Sequence, residues 1–250
     1  MILKADHDAV REVRLNRPPV NALSTEFLHA IRQALEEAPG DGARAVVLSG
    51  APGIFSAGLD LPLLVRLDRS GIEKLWRELY ALMKCLASSP IPIAAAITGH
   101  APAGGTVLAL FCDWRVAARG DFKLGLTEVQ VGIALPQVIL AALRRQVGPR
   151  QAERLAVSGA MISPEEALAA GLVDELAAPE EVFGQALAWC RRVVELPPTA
   201  MSDTRRRARA DVAALFNDSE PELREVLEGL CSEETQQKLQ AIAANLGKKA

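Results

Sequence analysis

The sequence predicts an α/β fold carrying a helical C-terminal appendage, and three observations support this. Short, apolar, β-branched runs alternate with amphipathic helical stretches through about residue 196. From Thr199 to Ala250 the composition is helical, with one interruption near Asn217 to Pro221. The chain has 250 residues, half of them apolar. A chain of that length buries roughly 70–75% of its unfolded surface, so it needs neither disulfides nor a structural metal to hold a core. Residues 1–196 are therefore expected to form the α/β core and residues 197–250 the helical region.

The elements follow in order. The N-terminal stretch runs straight into a strand pattern, with Val13 and Leu15 flanking Arg14 at a period of two. Ser24 is a suitable N-cap for a helix that places Phe27, Leu28, Ile31 and Leu35 on one face. Ala45 to Leu48 reads as a strand buried on both faces. A helix from about Ile72 to Ala87 precedes a buried strand from Ile91 to Ile97, and another apolar helix runs from the Ala103-Gly104-Gly105 turn to about Phe111. Trp114 to Val116 and Phe122 to Leu124 read as two further strands. Ser163-Pro164-Glu165-Glu166 combines an N-cap serine, a first-position proline and a glutamate three residues after the cap, and Gly171 stops that helix. Leu172 to Leu176 offers a short strand, and Pro197-Pro198 breaks the chain after the helix that holds Trp189.

Composition excludes several function classes. The net charge is −3 and aromatic residues are 4%, so neither a basic field nor base-stacking platforms point to nucleic acid. The four cysteines (Cys85, Cys112, Cys190, Cys231) form no close pair, so neither a metal site nor a disulfide framework is legible. No apolar run approaches a membrane span and no signal-peptide pattern opens the chain, so the expected location is the cytoplasm.

Three segments do not read as ordinary core. Phe55-Ser56-Ala57-Gly58-Leu59-Asp60-Leu61 follows the turn Gly50-Ala51-Pro52-Gly53. Gly99-His100-Ala101-Pro102-Ala103-Gly104-Gly105 joins a buried strand to a helix. Gly125-Leu126-Thr127-Glu128-Val129-Gln130-Val131-Gly132 sets one carboxylate among apolar neighbours. In the first two, glycine lets the backbone turn tightly and leaves N–H groups free to face a cavity. In the second, those groups also open a helix, where the dipole favours negative charge. Taken singly, each has an ordinary explanation in close packing, a turn or a solvated carboxylate.

Taken together, in this order and at these intervals, the three segments resemble the crotonase (enoyl-CoA hydratase/isomerase) superfamily. The likeness begins at Asn16-Arg17-Pro18-Pro19-Val20-Asn21-Ala22-Leu23. It continues through Ala152-Glu153-Arg154 and the segment Ser163 to Leu176, which is similar to the family's A-x-x-x-G-L-V-D signature. The wording PPVN, FSAGLDL, PAGG and GL-x-E-x-Q-x-GI is most similar to the mitochondrial-type Δ3,Δ2-enoyl-CoA isomerases.

The resemblance implies a spiral of stacked ββα units that binds an acyl-CoA thioester, with CoA as part of the substrate and no metal or other cofactor. It implies an oxyanion hole built from the main-chain N–H groups of Leu59 and Gly104. Substrate-binding roles fall to Asn21, Ala22, Leu23, Ala57, Gly58, Leu59, Asp60, Leu61 and Thr127. Family hydratases carry carboxylates at two positions, and here the first is Val107 while the second is Glu128. A single carboxylate beside an enolate hole suits a 1,3-proton shift, with Glu128 as base and then acid. Burial among Leu126, Val129 and Val131 is expected to raise its pKa. The stretch Gly132 to Ile139 also lacks the P-G-x-G-G-T wording of many hydratases. His100 is expected to be a packed or surface residue without a catalytic role.

The rival readings are hydration or thioester hydrolysis on the same fold and, in a different class, an RNA-binding or scaffold protein. The last has only Arg205-Arg206-Arg207-Ala208-Arg209 to support it, arginines that spread around a helix surface, are diluted by Asp203 and Asp211, and read as a solvated or subunit-contact face. The resemblance further implies a homotrimer or homohexamer whose C-terminal helices pack between subunits. Leu227, Leu230, Leu239, Ile242 and Leu246 are the apolar anchors, although packing within the chain would use them equally well. Lys248 and Lys249 could reach a CoA phosphate, but are better read as loose terminal residues.

Overall fold

The computed structural model describes residues 1–246, the last of them in its backbone alone, so Lys248, Lys249 and the Leu246 side chain lie outside it. The chain opens with the hairpin β1 (Ile2–His7) and β2 (Val10–Leu15), followed by α1 (Thr25–Gly40) and β3 (Ala45–Ser49). Next come β4 (Gly53–Ile54), α2 (Leu61–Leu64), α3 (Arg69–Ser88), β5 (Ile93–Ile97), β6 (Gly99–Pro102) and α4 (Gly104–Leu110). β7 (Trp114–Ala118) and β8 (Leu124–Gly125) precede a 3-10 turn, Glu128–Val131. The remainder is α5 (Gln137–Val147), α6 (Pro149–Ser158), α7 (Pro164–Ala170), β9 (Glu175–Ala177) and α8 (Val182–Val194). Four helices close the chain: α9 (Pro198–Ala208), α10 (Ala210–Ala214), α11 (Glu220–Leu230) and α12 (Glu233–Leu246).

The strands form two sheets. One runs β1-β2-β3-β5-β7-β9, antiparallel only at its β1-β2 edge; the other runs β4-β6-β8 and is parallel throughout. Each successive pair, β3/β4, β5/β6 and β7/β8, gives one strand to each sheet. The backbone therefore advances as a spiral of ββα turns, as the family resemblance implies. Every residue of β3 and β5 is buried, as strands covered on both faces require. Ser24 caps α1 by accepting from the Phe27 N–H, and Ser163 and Glu166 complete a reciprocal capping box on α7.

Some elements differ from their expected form. Phe122 to Leu124 is expected to be a strand, but pairing occurs only at Leu124–Gly125. The expected strand at Leu172 to Leu176 starts later, at Glu175, because Leu172 N–H is spent on the Ala167 carbonyl at the end of α7. Gly99–Pro102 is a strand as well as a connection.

The arginine run also departs from the surface face read in the sequence. Arg206 and Arg207 are exposed, but Arg205 is buried and Arg209 is half-buried. Arg205 donates to Asp113 Oδ2 at 3.0 Å and to the carbonyls of Leu86 and Ser89, while Arg209 donates to those of Phe111 and Ala87. Both cap carbonyls left over at the ends of α3 and α4, where a cation also meets the negative end of the helix dipole. They latch α9 onto the core. Leu227, Leu230 and Leu239 are likewise buried within this chain, in one cluster with the core of the spiral. Among the described residues no helix is long and apolar enough to cross a membrane.

Candidate active site

The first segment is braced from behind. Asn21, at φ +50°, accepts the Arg17 N–H on its side-chain oxygen at 2.8 Å and donates Nδ2 to the Phe55 carbonyl at 3.0 Å. Leu23 N–H donates to the Gly58 carbonyl and Asp60 N–H to the Leu23 carbonyl, at 2.8 and 3.1 Å. In such a parallel bridge the residue between the two partners turns its own N–H to the other side. That residue is Leu59, whose N–H has no acceptor among the described residues. Asp60 caps α2 through the Leu63 N–H and pairs with Arg17 at 2.7 Å.

The second segment supplies a matching donor. Ala103 sits at φ +45°, a conformation costly for a residue with a Cβ, and its N–H donates to the Gly125 carbonyl at 2.7 Å. Gly104 is the first residue of α4, so its N–H has no partner within the helix, and it finds no other among the described residues. Gly58 permits the two segments to meet, because a Cβ there would stand 2.9 Å from the Gly104 nitrogen.

The third segment delivers the carboxyl. Glu128 opens the 3-10 turn, is 8% exposed, and its Oε2 is buried with no hydrogen-bond partner among the described residues. Burial raises its pKa from 4.5 to about 7, opposed only by one backbone hydrogen bond. The neighbours responsible differ in part from those expected. Leu126 is buried and Val131 lines the cavity, but Val129 is 40% exposed.

A cavity of about 90 Å³ brings the three segments together. Ala57, Leu59, Leu61, Gly104, Thr127 and Glu128 line it, and Val107 is in its wall. Asn21, Ala22, Leu23, Gly58 and Asp60 do not line it; hydrogen bonds made by Asn21, Leu23 and Asp60 hold the stretch from Phe55 to Asp60 in place. Trp76, Leu79, Ile133 and Ile139 also line the cavity and were not singled out in the sequence. On α3, Trp76 and Leu79 share the periodic apolar face with purely structural residues, so spacing alone cannot separate them. His100 packs edge-on against Phe122 and its Nδ1 takes the Lys123 N–H, which is the structural role expected for it. Two unpaired main-chain donors beside a protonatable carboxyl whose Oε2 is unpartnered can stabilise developing negative charge and move a proton.

The chain matches the family described as enoyl-CoA hydratase/isomerase over residues 5–242. The probable enoyl-CoA hydratase EchA17 of Mycobacterium tuberculosis (strain ATCC 25618 / H37Rv) is 39% identical over 189 residues, covering 75% of this chain and 72% of that one. The Homo sapiens mitochondrial enoyl-CoA delta isomerase 1 is 35% identical over 208 residues, covering 82% of this chain and 69% of that one. Among solved structures, human mitochondrial delta3-delta2-enoyl-CoA isomerase matches with a TM-score of 0.94 at 31% identity, over 99% of this chain and 98% of that one.

Proposed function

Because the chain belongs to the enoyl-CoA hydratase/isomerase family, we propose that it is an acyl-CoA isomerase that moves a 3-enoyl-CoA double bond to the trans-2 position. One observation carries the choice of reaction: among the described residues Glu128 is the single ionisable side chain lining the cavity, and Val107 stands in the same wall.

In this reading the thioester carbonyl accepts hydrogen bonds from the Leu59 and Gly104 N–H groups. Ionised Glu128 takes a proton from C2, and the C–H electron pair delocalises into a dienolate whose negative charge rests on the thioester oxygen. Glu128 then returns a proton to C4, the remaining double bond moves to C2–C3, and the carbonyl reforms. Nothing is oxidised or reduced, and the atoms balance without a co-reactant. A carboxyl with a pKa near the working pH serves both half-reactions. Main-chain donors fixed before the charge develops cost no reorganisation, and losing one such donor typically costs about 2.7–4 kcal/mol. Hydration asks for a group that orients water as well as one that moves a proton, and Val107 can do neither.

Product analysis tests the reading. With a 3-enoyl-CoA, absorbance of the conjugated enoyl thioester should rise, with no free thiol released and no loss of that band when trans-2-enoyl-CoA is supplied. Faster loss of the band from trans-2-enoyl-CoA would make the protein a hydratase, and thiol release would make it a thioester hydrolase.

A further inference from the structure

The carboxyl of Glu128 has a position to keep, and its Oε2 has no partner among the described residues to keep it. Its backbone is held instead. Within the turn, Gln130 N–H donates to the Thr127 carbonyl at 2.9 Å and Ile133 N–H to the Glu128 carbonyl at 3.0 Å. On one side, Gln130 Nε2 reaches the Gly159 carbonyl beyond α6 at 2.7 Å. On the other side lies α12, which packs against both the Glu128 turn and α2, the helix that follows Leu59 and Asp60. Thr235 of α12 is 3% exposed, and its Oγ1–H donates to the Gly132 carbonyl at 2.8 Å. Gly132 ends the turn at φ +81°, and a Cβ there would stand 3.3 Å from Thr235 Oγ1, so the helix and the turn are fitted face to face. The Thr235 hydroxyl is oriented in its turn by Ser232 Oγ at 3.0 Å.

We propose that Thr235 is a positioning residue for Glu128: its buried hydroxyl, bonded to the Gly132 carbonyl, makes the C-terminal helix of the same chain part of the proton-transfer apparatus. The inference rests on the isomerase reading for its kinetic consequence, but not for its structural one. Removing the donor takes from the Gly132 carbonyl the hydrogen bond that ties the turn to α12 and frees the turn to shift. Small displacements of a reacting group are costly, since about 1 Å can cost about 100-fold. Thr235 itself does not line the cavity, so binding should change little.

The test compares Thr235→Val, which keeps the shape and loses the donor, with Thr235→Ser, which keeps the hydroxyl. With a 3-enoyl-CoA, Thr235→Val should lose about 10-fold in kcat with KM within about twofold, and Thr235→Ser should recover most of the loss. The Glu128 carboxyl is titrated in parallel by infrared difference spectroscopy, with Glu128→Gln as the blank, and its midpoint should fall in Thr235→Val as the turn loosens and water enters. Thr235→Ala, which leaves room for a water at the Gly132 carbonyl, should show the same pattern and replaces Val if Val does not fold. Unchanged kcat, or an unchanged Glu128 midpoint, in the donorless variant would overturn the proposal. A wild-type protein inactive on 3-enoyl-CoA would defeat the isomerase reading alone, and the infrared titration would still decide the role of Thr235.

Discussion

Gly58 and Gly104 approach so closely that a methyl group on Gly58 would stand 2.9 Å from the Gly104 nitrogen. Two chain segments more than forty residues apart are thereby brought together, each presenting an unpaired N–H beside the same carboxyl. Gly58 also sits at φ +82°, where a side chain is strained whatever room it has. Gly58→Ala should therefore part the two donors and lower kcat/KM on 3-enoyl-CoA by about 100-fold, the cost typical of a lost oxyanion donor. Steady-state kinetics check it, and a loss under threefold would mean that the pair does not act together.

The second prediction concerns the pH dependence of the rate. The proton shift begins with ionised Glu128, whose pKa burial raises to about 7. Below that value kcat/KM should fall about tenfold for each pH unit, and above it the rate should level off. A kcat/KM profile measured from pH 5 to 9 with a 3-enoyl-CoA reports this group in the free enzyme. A flat profile through pH 6 would remove Glu128 as the base.

The same shift has a consequence for stability. The folded pKa, about 7, lies above the ordinary 4.5, so the native state holds this proton more tightly than the unfolded chain. Stability from this group is full below 4.5 and is lost as pH rises toward 7, by about 3 kcal/mol in all. Glu128→Gln removes the titration. Its Tm relative to the parent should therefore climb by roughly 5–10 °C between pH 4.5 and pH 8, measured by calorimetry. A pH-independent difference would contradict the burial account.

Asp113 binds both latch arginines, at 3.0 Å to Arg205 and 3.2 Å to Arg209, and also takes the Ile93 N–H at 2.8 Å. Asp113→Ala leaves two largely buried guanidinium groups without their counter-charge. Breaking a buried pair on one side costs about 3–5 kcal/mol, so thermal unfolding should show a Tm roughly 10 °C lower. A change under 2 °C would show that the carbonyl caps alone hold α9.

Much of the site was legible because it is made of main chain and one carboxylate. Glycine and the order of three segments mark such a site, and Glu128, Leu59 and Gly104 lie together in the cavity they line. The walls were less legible. Trp76 and Leu79 obey the same helical period as Leu75 and Leu82, and only the fold decides which of them meets the cavity. Arg205 and Arg209 read as surface charge because their partners are mostly carbonyls at the ends of distant helices, which carry no side-chain signature. Thr235 carries no sequence signal for the same reason: its partner is the carbonyl of Gly132, about a hundred residues earlier. The strand at Gly99–Pro102 resembles a connection in the sequence because glycine and proline mark turns more often than parallel strands.

The central claim is that one carboxyl, Glu128, carries the proton. The direct measurement is the rise of the conjugated enoyl-thioester absorbance from a 3-enoyl-CoA, for the parent protein and Glu128→Gln at equal acyl-CoA saturation. The absorbance should rise with the parent, at a rate at least about 1,000-fold above that of the variant, with acyl-CoA binding intact. A variant that isomerises within tenfold of the parent would contradict that claim.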